Sequence, residues 1–217
     1  PDVATPGPGI NFQAEAIRGW DRWLLGRENG IEYEPRLRVW RQEYVPPQNK
    51  LHERPGSWIA ENQWPSTNVA PRTYRLGYGV LSHTETIAAE PTAVIPNSLR
   101  IGSTSGDTGY FGRDGGLPLD QRGDDALSLV FDTEPLESPI DILGQAVVNV
   151  ALQVDQPKAV LVVRLNDVAP DGASSRVVFG ICNLALDREG APDSEHSPST
   201  QRTVEVQLPN TAYRFGK

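Results

Sequence analysis

The run Gly-Ser-Thr-Ser-Gly over 102–106 is the first candidate for a serine nucleophile in the sequence. A nucleophile elbow needs Ser at the centre of Gly-x-Ser-x-Gly on a strand-to-helix turn, but the central residue here is Thr104 and no helical pattern follows. The histidines, His52, His83 and His196, stand apart in polar segments, without a nucleophile or the short spacing of metal ligands. We therefore predict no catalytic residue, no metal site and no cofactor in this chain.

An acidic cluster is formed by Asp120, Asp124 and Asp125, which surround Arg122. Loop carboxylates can bind calcium through their oxygens, but this spacing does not match the ordered twelve-residue calcium loop. The cluster is interpreted as structural, held by local hydrogen bonds and an ion pair with Arg122. A structural ion or a contact between domains is the alternative.

The composition disfavours two classes of binding partner, nucleic acids and membranes. The net charge is −8 over 217 residues, which disfavours nucleic acid because phosphate binding needs a basic face. No apolar run approaches the ~20 residues that span a bilayer, so no membrane partner is expected. The single cysteine, Cys182, excludes an internal disulfide and a cysteine-based zinc site. Its apolar surroundings predict a buried structural thiol.

The elements that position these groups begin with a helix predicted over about 11–25. Asn11 is a suitable N-cap, and Gly26 is a suitable C-terminal stop. Apolar residues recur at spacings of four and three and so share one helical face: Phe12, Ala16, Trp20, Trp23 and Leu24. Two tryptophans on a short helix need a large apolar partner. The sequence that follows is typical of strands and turns, so we expect that partner upstream of Pro1.

Aromatic residues also recur through the first half of the chain. On the loops of a β-sandwich they can stack on sugars or fill the seam between two domains. We favour the seam, because the helix already implies a neighbouring domain. The candidates for an interdomain or pocket surface are Trp20, Trp23, Trp40, Trp58, Trp64, Tyr110 and Phe111.

Strand patterns dominate the rest of the chain. The clearest strands are predicted over 36–41, 127–131, 140–154 with a bend near Gly144, 159–167, 174–186 and 203–208. Shorter strands are predicted near 72–76, 79–82 and 98–101, and loops over 42–57 and 187–200. The Ala-Pro-Asp-Gly run at 169–172 predicts a tight turn, because Pro presets φ and Gly tolerates a positive φ. Long strands at regular intervals predict an all-β sandwich or jelly roll.

Several segments follow one another in an order that is similar to a known family. The most specific are Trp-Asp-Arg-Trp-Leu-Leu-Gly-Arg-Glu-Asn-Gly-Ile at 20–31 and Arg-Leu-Asn-Asp-Val-Ala-Pro-Asp-Gly at 164–172. Others match at 35–40, 64–65, 117–122, 124–125, 128–132 and 134–136. Over most of residues 8–217 the chain resembles the C-terminal part of the Xaa-Pro dipeptidyl-peptidase and cocaine-esterase superfamily of serine hydrolases.

The resemblance implies a chain in two parts. Residues 1–34 correspond to the C-terminal helix and linker of an α/β-hydrolase domain, and residues 35–217 to a galactose-binding-like jelly-roll β-sandwich. The Ser-His-Asp triad of the family would precede Pro1, so the isolated chain is predicted to be inactive. The family sequence continues into further strands, so we expect a sandwich without its last strands and with an edge that another copy can cover.

The predicted function is that of a non-catalytic C-terminal domain of a serine hydrolase of the ester, amide or Xaa-Pro dipeptidyl-peptidase type. It would support the catalytic domain and shape its pocket. The expected partners are the missing α/β-hydrolase domain and, in a homo-oligomer, further copies. A cytoplasmic location is the default expectation, since no signal peptide is visible. The alternative function is a carbohydrate-binding module that uses loop aromatics.

Overall fold

Strands supply most of the regular structure in the computed structural model, which describes residues 8–83, 93–95, 97–107, 115–186 and 200–216. Two α-helices and a 3₁₀ turn lie in these residues: α1 (Phe12–Trp23), the 3₁₀ turn (Ile31–Tyr33) and α2 (Arg122–Asp125). The strands are β1 (Leu37–Glu43), β2 (Gly56–Glu61), β3 (Arg75–Leu76), β4 (Leu81–Ser82), β5 (Ile140–Gly144), β6 (Val147–Leu152), β7 (Val160–Val168), β8 (Ser174–Asn183), β9 (Arg202–Gln207) and β10 (Thr211–Phe215). The predicted all-β class is confirmed.

The strands form several sheets. A four-stranded sheet has the order β2-β1-β10-β5, and three two-stranded sheets pair β3 with β4, β6 with β9 and β7 with β8. β10 runs parallel to β1 and antiparallel to β5. The four-stranded sheet therefore joins β1, the first described strand, to β10, the last described strand.

The hydrophobic core lies between the β6–β9 pair and the β7–β8 hairpin. Its buried members are Leu184, Val204, Val206 and Leu208. Leu161, Val163 and Leu165 pack against them, since alternate residues of a strand share one face. Gly180 lets β8 approach β9 closely, because a Cβ there would lie 2.8 Å from the Gln207 carbonyl oxygen.

The β7–β8 hairpin confirms the clearest local prediction. The Gly172 N–H donates to the Ala169 carbonyl at 2.8 Å, and the Ala169 N–H donates to the Ala173 carbonyl at 2.9 Å. Gly172 has a φ of +82°, a conformation that glycine adopts without strain. The strand predicted over 140–154 is present as β5 and β6, which separate after Gly144 as expected.

Two predicted strands are wrong. Residues 127–131 do not form one, because the Leu127 and Ser128 N–H groups donate to the Asp124 and Asp125 carbonyls and extend the turn of α2. Residues 98–101 form turns, with the Ile101 N–H donating to the Ser98 carbonyl at 3.3 Å. In both segments local bonds occupy N–H groups that a sheet would need.

Other boundaries also differ from the prediction. The loop predicted over 42–57 is shorter, because β1 continues to Glu43 and β2 begins at Gly56. Trp58 consequently lies within a strand, opposite Trp40, rather than on a loop. β10 was not predicted, since its partners are distant in sequence. Cys182 is half-buried on β8 and packs at the margin of the core rather than being fully enclosed. The predicted loop at 187–200 lies almost wholly outside the described residues.

Candidate functional site

The helix α1 presents its apolar face to solvent. Its first turn is fixed as predicted, since the Ala14 N–H donates to Asn11 Oδ1 at 3.0 Å. The helix ends before Gly26, which has a φ of +67°. The exposed fractions are 74% for Phe12, 60% for Trp20 and 67% for Trp23, and Ile17 and Leu24 are also exposed. An ordinary amphipathic helix would bury this face.

The opposite side of α1 contacts its own chain, through charged groups. Arg18 donates to Glu34 and, at 3.0 Å, to Glu15. Arg22 pairs with Glu32 at 3.1 Å, and Asn29 Nδ2 donates to the Arg18 carbonyl at 2.8 Å. The hydrogen bond from Arg18 holds the pKa of Glu34 below its usual range. Ion pairs thus connect α1 to Glu32 and Glu34 while its apolar residues remain uncovered.

The α1 face is therefore an exposed apolar patch and a candidate docking surface. Contiguous apolar patches on soluble proteins mark sites of interaction, and aromatic residues are enriched at the centres of interfaces. A cavity of about 340 Å³ adjoins the patch and is lined by Trp23, Ile31, Pro35 and several charged side chains.

Of the remaining aromatic candidates, Trp40 and Trp58 are in contact with each other. Trp40 and Trp58 meet edge to face across β1 and β2, with ring centroids 5.6 Å apart. The exposed fractions of Trp58 and Trp64 are 52% and 49%. The Trp40 Nε1 is buried without a hydrogen-bond partner in the described part of the chain. Tyr110 and Phe111 lie outside the described residues, so the candidate surface stays a prediction as a whole.

The acidic cluster belongs to a buried polar network. Asp124 is only 1% exposed and accepts hydrogen bonds from Thr104 Oγ1 at 2.7 Å and from the Gly102 N–H at 3.1 Å. Burial acts to raise the pKa of Asp124, but these hydrogen bonds and the nearby Arg164 outweigh it, and the pKa is lowered. The 102–106 run is therefore a turn pinned to Asp124, where Thr104 acts as a donor.

Arg164 lies at the centre of this network. Its guanidinium donates to Asp125 Oδ1 at 2.8 Å, to Gln121 Oε1 at 3.0 Å and to Ser128 Oγ at 3.1 Å. Gln121 is fully buried. We did not predict either residue from sequence. The available signal was an arginine within the otherwise apolar strand Val-Leu-Val-Val-Arg-Leu at 160–165.

Asp120 lies at the exposed side of the cluster. Its carboxylate pairs with Arg122 at 2.6 Å, and it also accepts from the Ser174 N–H at 3.2 Å. The side-chain hydrogen bond from Arg122 lowers the pKa of Asp120. These contacts connect α2 to the start of β8.

Within the described ranges, no three His, Cys, Asp or Glu side chains come together in a group that could hold a metal ion. His52 and His83 are exposed, and His196 lies outside these ranges. None of the described helices is long and apolar enough to cross a membrane.

Comparison with known proteins supplies the context of these features. The family model of the X-Pro dipeptidyl-peptidase C-terminal non-catalytic domain matches residues 29–217. A CocE/NonD family hydrolase from Staphylococcus aureus has a similar structure, with a TM-score of 0.55 and 14% sequence identity. That match covers 96% of this chain and 37% of the hydrolase chain. The comparison with curated proteins gave no match.

Proposed function

This chain belongs to the family of the X-Pro dipeptidyl-peptidase C-terminal non-catalytic domain, and we propose that it is the accessory domain of a serine hydrolase. Catalysis, an acyl transfer from an ester or amide to water, would be carried out by an α/β-hydrolase domain outside this chain. Because the chain spans only 37% of the similar hydrolase, the activity of a whole protein is part of the proposal.

The observation that carries the proposal is that α1 contacts its own chain through charged residues and presents its apolar residues to solvent. The helix is bound to this chain by Arg18 and Arg22, while Trp20 and Trp23 point away from it. The family match begins at residue 29, after α1 has ended. Both facts support a boundary near residue 34, with α1 as the last helix of the preceding domain and residues 35–217 as a domain of the jelly-roll type.

The accessory domain would act by covering apolar surface. Burying a large side chain contributes about 1.5–3 kcal/mol, so two tryptophans and their neighbours can hold the two domains together. Trp58 and Trp64 are proposed to face the mouth of the acyl pocket, since about half of each side chain is exposed. No side chain of this chain enters the bond-breaking step in this proposal.

The test uses the longer protein that includes the hydrolase domain. Replacing Trp20 and Trp23 by serine should separate the unfolding of the two domains, so that calorimetry shows two transitions instead of one. The first transition should fall by about 5 °C or more. Tyr78→Ser is the matched control, because Tyr78 is 85% exposed on the turn between β3 and β4, and it should leave the transition unchanged.

Catalysis gives a second arm to this test. The longer protein should hydrolyse an activated ester, and the isolated 217-residue chain should not. Turnover by the isolated chain that a serine-reactive inhibitor abolishes would refute the proposal. An unchanged single transition in the Trp20→Ser/Trp23→Ser protein would refute the docking role of α1.

A further inference from the structure

A small cavity lies between the segment that follows β1 and the first residues of β8. Its volume is about 30 Å³, and its lining includes Gln48, Arg54, Ser175 and Arg176. A water-sized group needs roughly 10–15 Å³ on this measure, so the cavity has room for about two such groups. It is formed by different residues from the docking surface of α1.

The two arginines of the cavity have no anionic partner in the described part of the chain. Neither guanidinium takes part in a hydrogen bond or an ion pair with these residues, although Arg176 stacks on the ring of Phe179 at 4.5 Å. Other arginines of the chain do pair with carboxylates: Arg18, Arg22, Arg41, Arg122, Arg164 and Arg214. The absence of such a partner is notable in a chain whose net charge is −8.

Both guanidiniums are partly removed from water. Burial lowers the pKa of Arg54. Burial also lowers the pKa of Arg176, and the like charge of Arg164 acts in the same direction. Asp124 attracts Arg176, but its oxygens are already bonded to Thr104 and Gly102. A half-buried charge without a partner is unfavourable, and an anion in the cavity would compensate it.

Size and charge together indicate the class of ligand. The planar guanidinium fork matches a carboxylate, which can accept two parallel hydrogen bonds. A carboxylate has two oxygens, which agrees with a cavity for about two water-sized groups. We propose that this cavity binds a carboxylate group between Arg54 and Arg176, with the Gln48 amide as an additional donor.

The test follows the arginine Nε–Hε signals of the chain by NMR while acetate is added at constant ionic strength against chloride. Two signals, assigned through Arg54→Gln and Arg176→Gln, should shift together and saturate with a Kd of about 10 mM, near 2.7 kcal/mol. Either variant should weaken binding at least tenfold. Arg72→Gln, an exposed position outside the cavity, should leave it within twofold.

Conservative variants keep the test informative if a glutamine variant unfolds. Arg54→Lys and Arg176→Lys retain the charge but lose the fork, so acetate binding should weaken while circular dichroism stays unchanged. The proposal is overturned if neither signal saturates, or if the Arg72→Gln chain loses binding as the other variants do.

The carboxylate can come from a free molecule or from a side chain of the proposed hydrolase domain. Acetate that binds both the isolated chain and the longer protein indicates a free ligand. Acetate that binds the isolated chain alone indicates that the hydrolase domain fills the cavity. Binding to the isolated chain does not depend on the accessory role, so this proposal can fail or succeed independently of the first.

Discussion

Arg164 donates hydrogen bonds to three members of the buried polar network, Gln121, Asp125 and Ser128. Its side chain is 14% exposed, and its ion-pair partner Asp124 is 1% exposed. Without Arg164, the buried Asp124 carboxylate would lose its ion-pair partner, and removal of one partner of such a pair typically costs about 3–5 kcal/mol. The network therefore links the turn at 102–104, α2 and β7 in one energetic unit.

The first prediction is that Arg164→Met lowers the free energy of unfolding by about 3 kcal/mol, measured by urea denaturation. Arg122→Met removes an exposed arginine that pairs with Asp120, and such pairs contribute little. We expect that control to unfold close to the wild type. Equal effects of the two substitutions would contradict a central role for Arg164.

Asp167 and Tyr213 give a prediction on pH. The Tyr213 hydroxyl donates to Asp167 Oδ2 at 2.9 Å, and both residues are buried. Burial raises the pKa of Asp167 above its usual 3.8, although the bond from Tyr213 opposes the rise. The folded chain therefore binds this proton more tightly than the unfolded chain, and the charged carboxylate destabilises the fold at neutral pH.

Asp167→Asn removes the charge and keeps an acceptor for Tyr213. We expect the variant to be more stable than the wild type at pH 7, with the difference closing as the pH falls through the raised pKa of Asp167. The stability difference between the two proteins is measured from urea midpoints between about pH 3.5 and 8. The lower end of this range lies about at the usual carboxyl pKa. A difference that is constant over pH would show that charge burial is not its cause.

At the scale of elements, replacing glycine by alanine should have opposite effects on stability in the β7–β8 hairpin and in α1. Gly172 has a φ of +82° in the hairpin turn, so Gly172→Ala should destabilise the chain by about 1 kcal/mol. Gly19 lies inside α1 with open space around its Cα, so Gly19→Ala should stabilise the helix by about 0.8–1 kcal/mol. Thermal unfolding measures the effect of Gly172→Ala, and the helical circular dichroism signal measures the effect of Gly19→Ala. Stabilisation by both substitutions, or destabilisation by both, would be inconsistent with this account.

At the scale of the whole molecule, the described core is small for the amount of apolar surface. The buried hydrophobic residues are Ala173, Leu184, Val204, Val206, Leu208, Ala212 and Tyr213. Large exposed residues lie both on α1 and on the outer face of the β7–β8 hairpin, where Val160, Val162 and Ile181 are 60%, 48% and 61% exposed. Such a chain gains stability from any partner that binds its folded state, as the accessory role proposes.

Much of the fold could be predicted from local sequence patterns. The hairpin of β7 and β8, the strand β9 and the helix α1 with its Asn11 cap follow from alternation, helical spacing and turn chemistry within short windows. Residues 127–131 show the limit, because their apolar pattern was overruled by hydrogen bonds to the Asp124 and Asp125 carbonyls. The candidate docking face was visible in the spacing of Trp20 and Trp23, since helical geometry alone places them on one side.

The sequence by itself determined the all-β class, the apolar face of α1 and the family resemblance, because each depends on residues that are close together or on the order of short motifs along the chain. Only the tertiary structure decided that Tyr213 of β10 lies beside Gln42 of β1, that Arg164 reaches α2 and that Arg54 shares a cavity with Arg176. These groups are brought together by contacts between distant segments, and a local pattern shows which side of an element is apolar or charged without showing what lies against it.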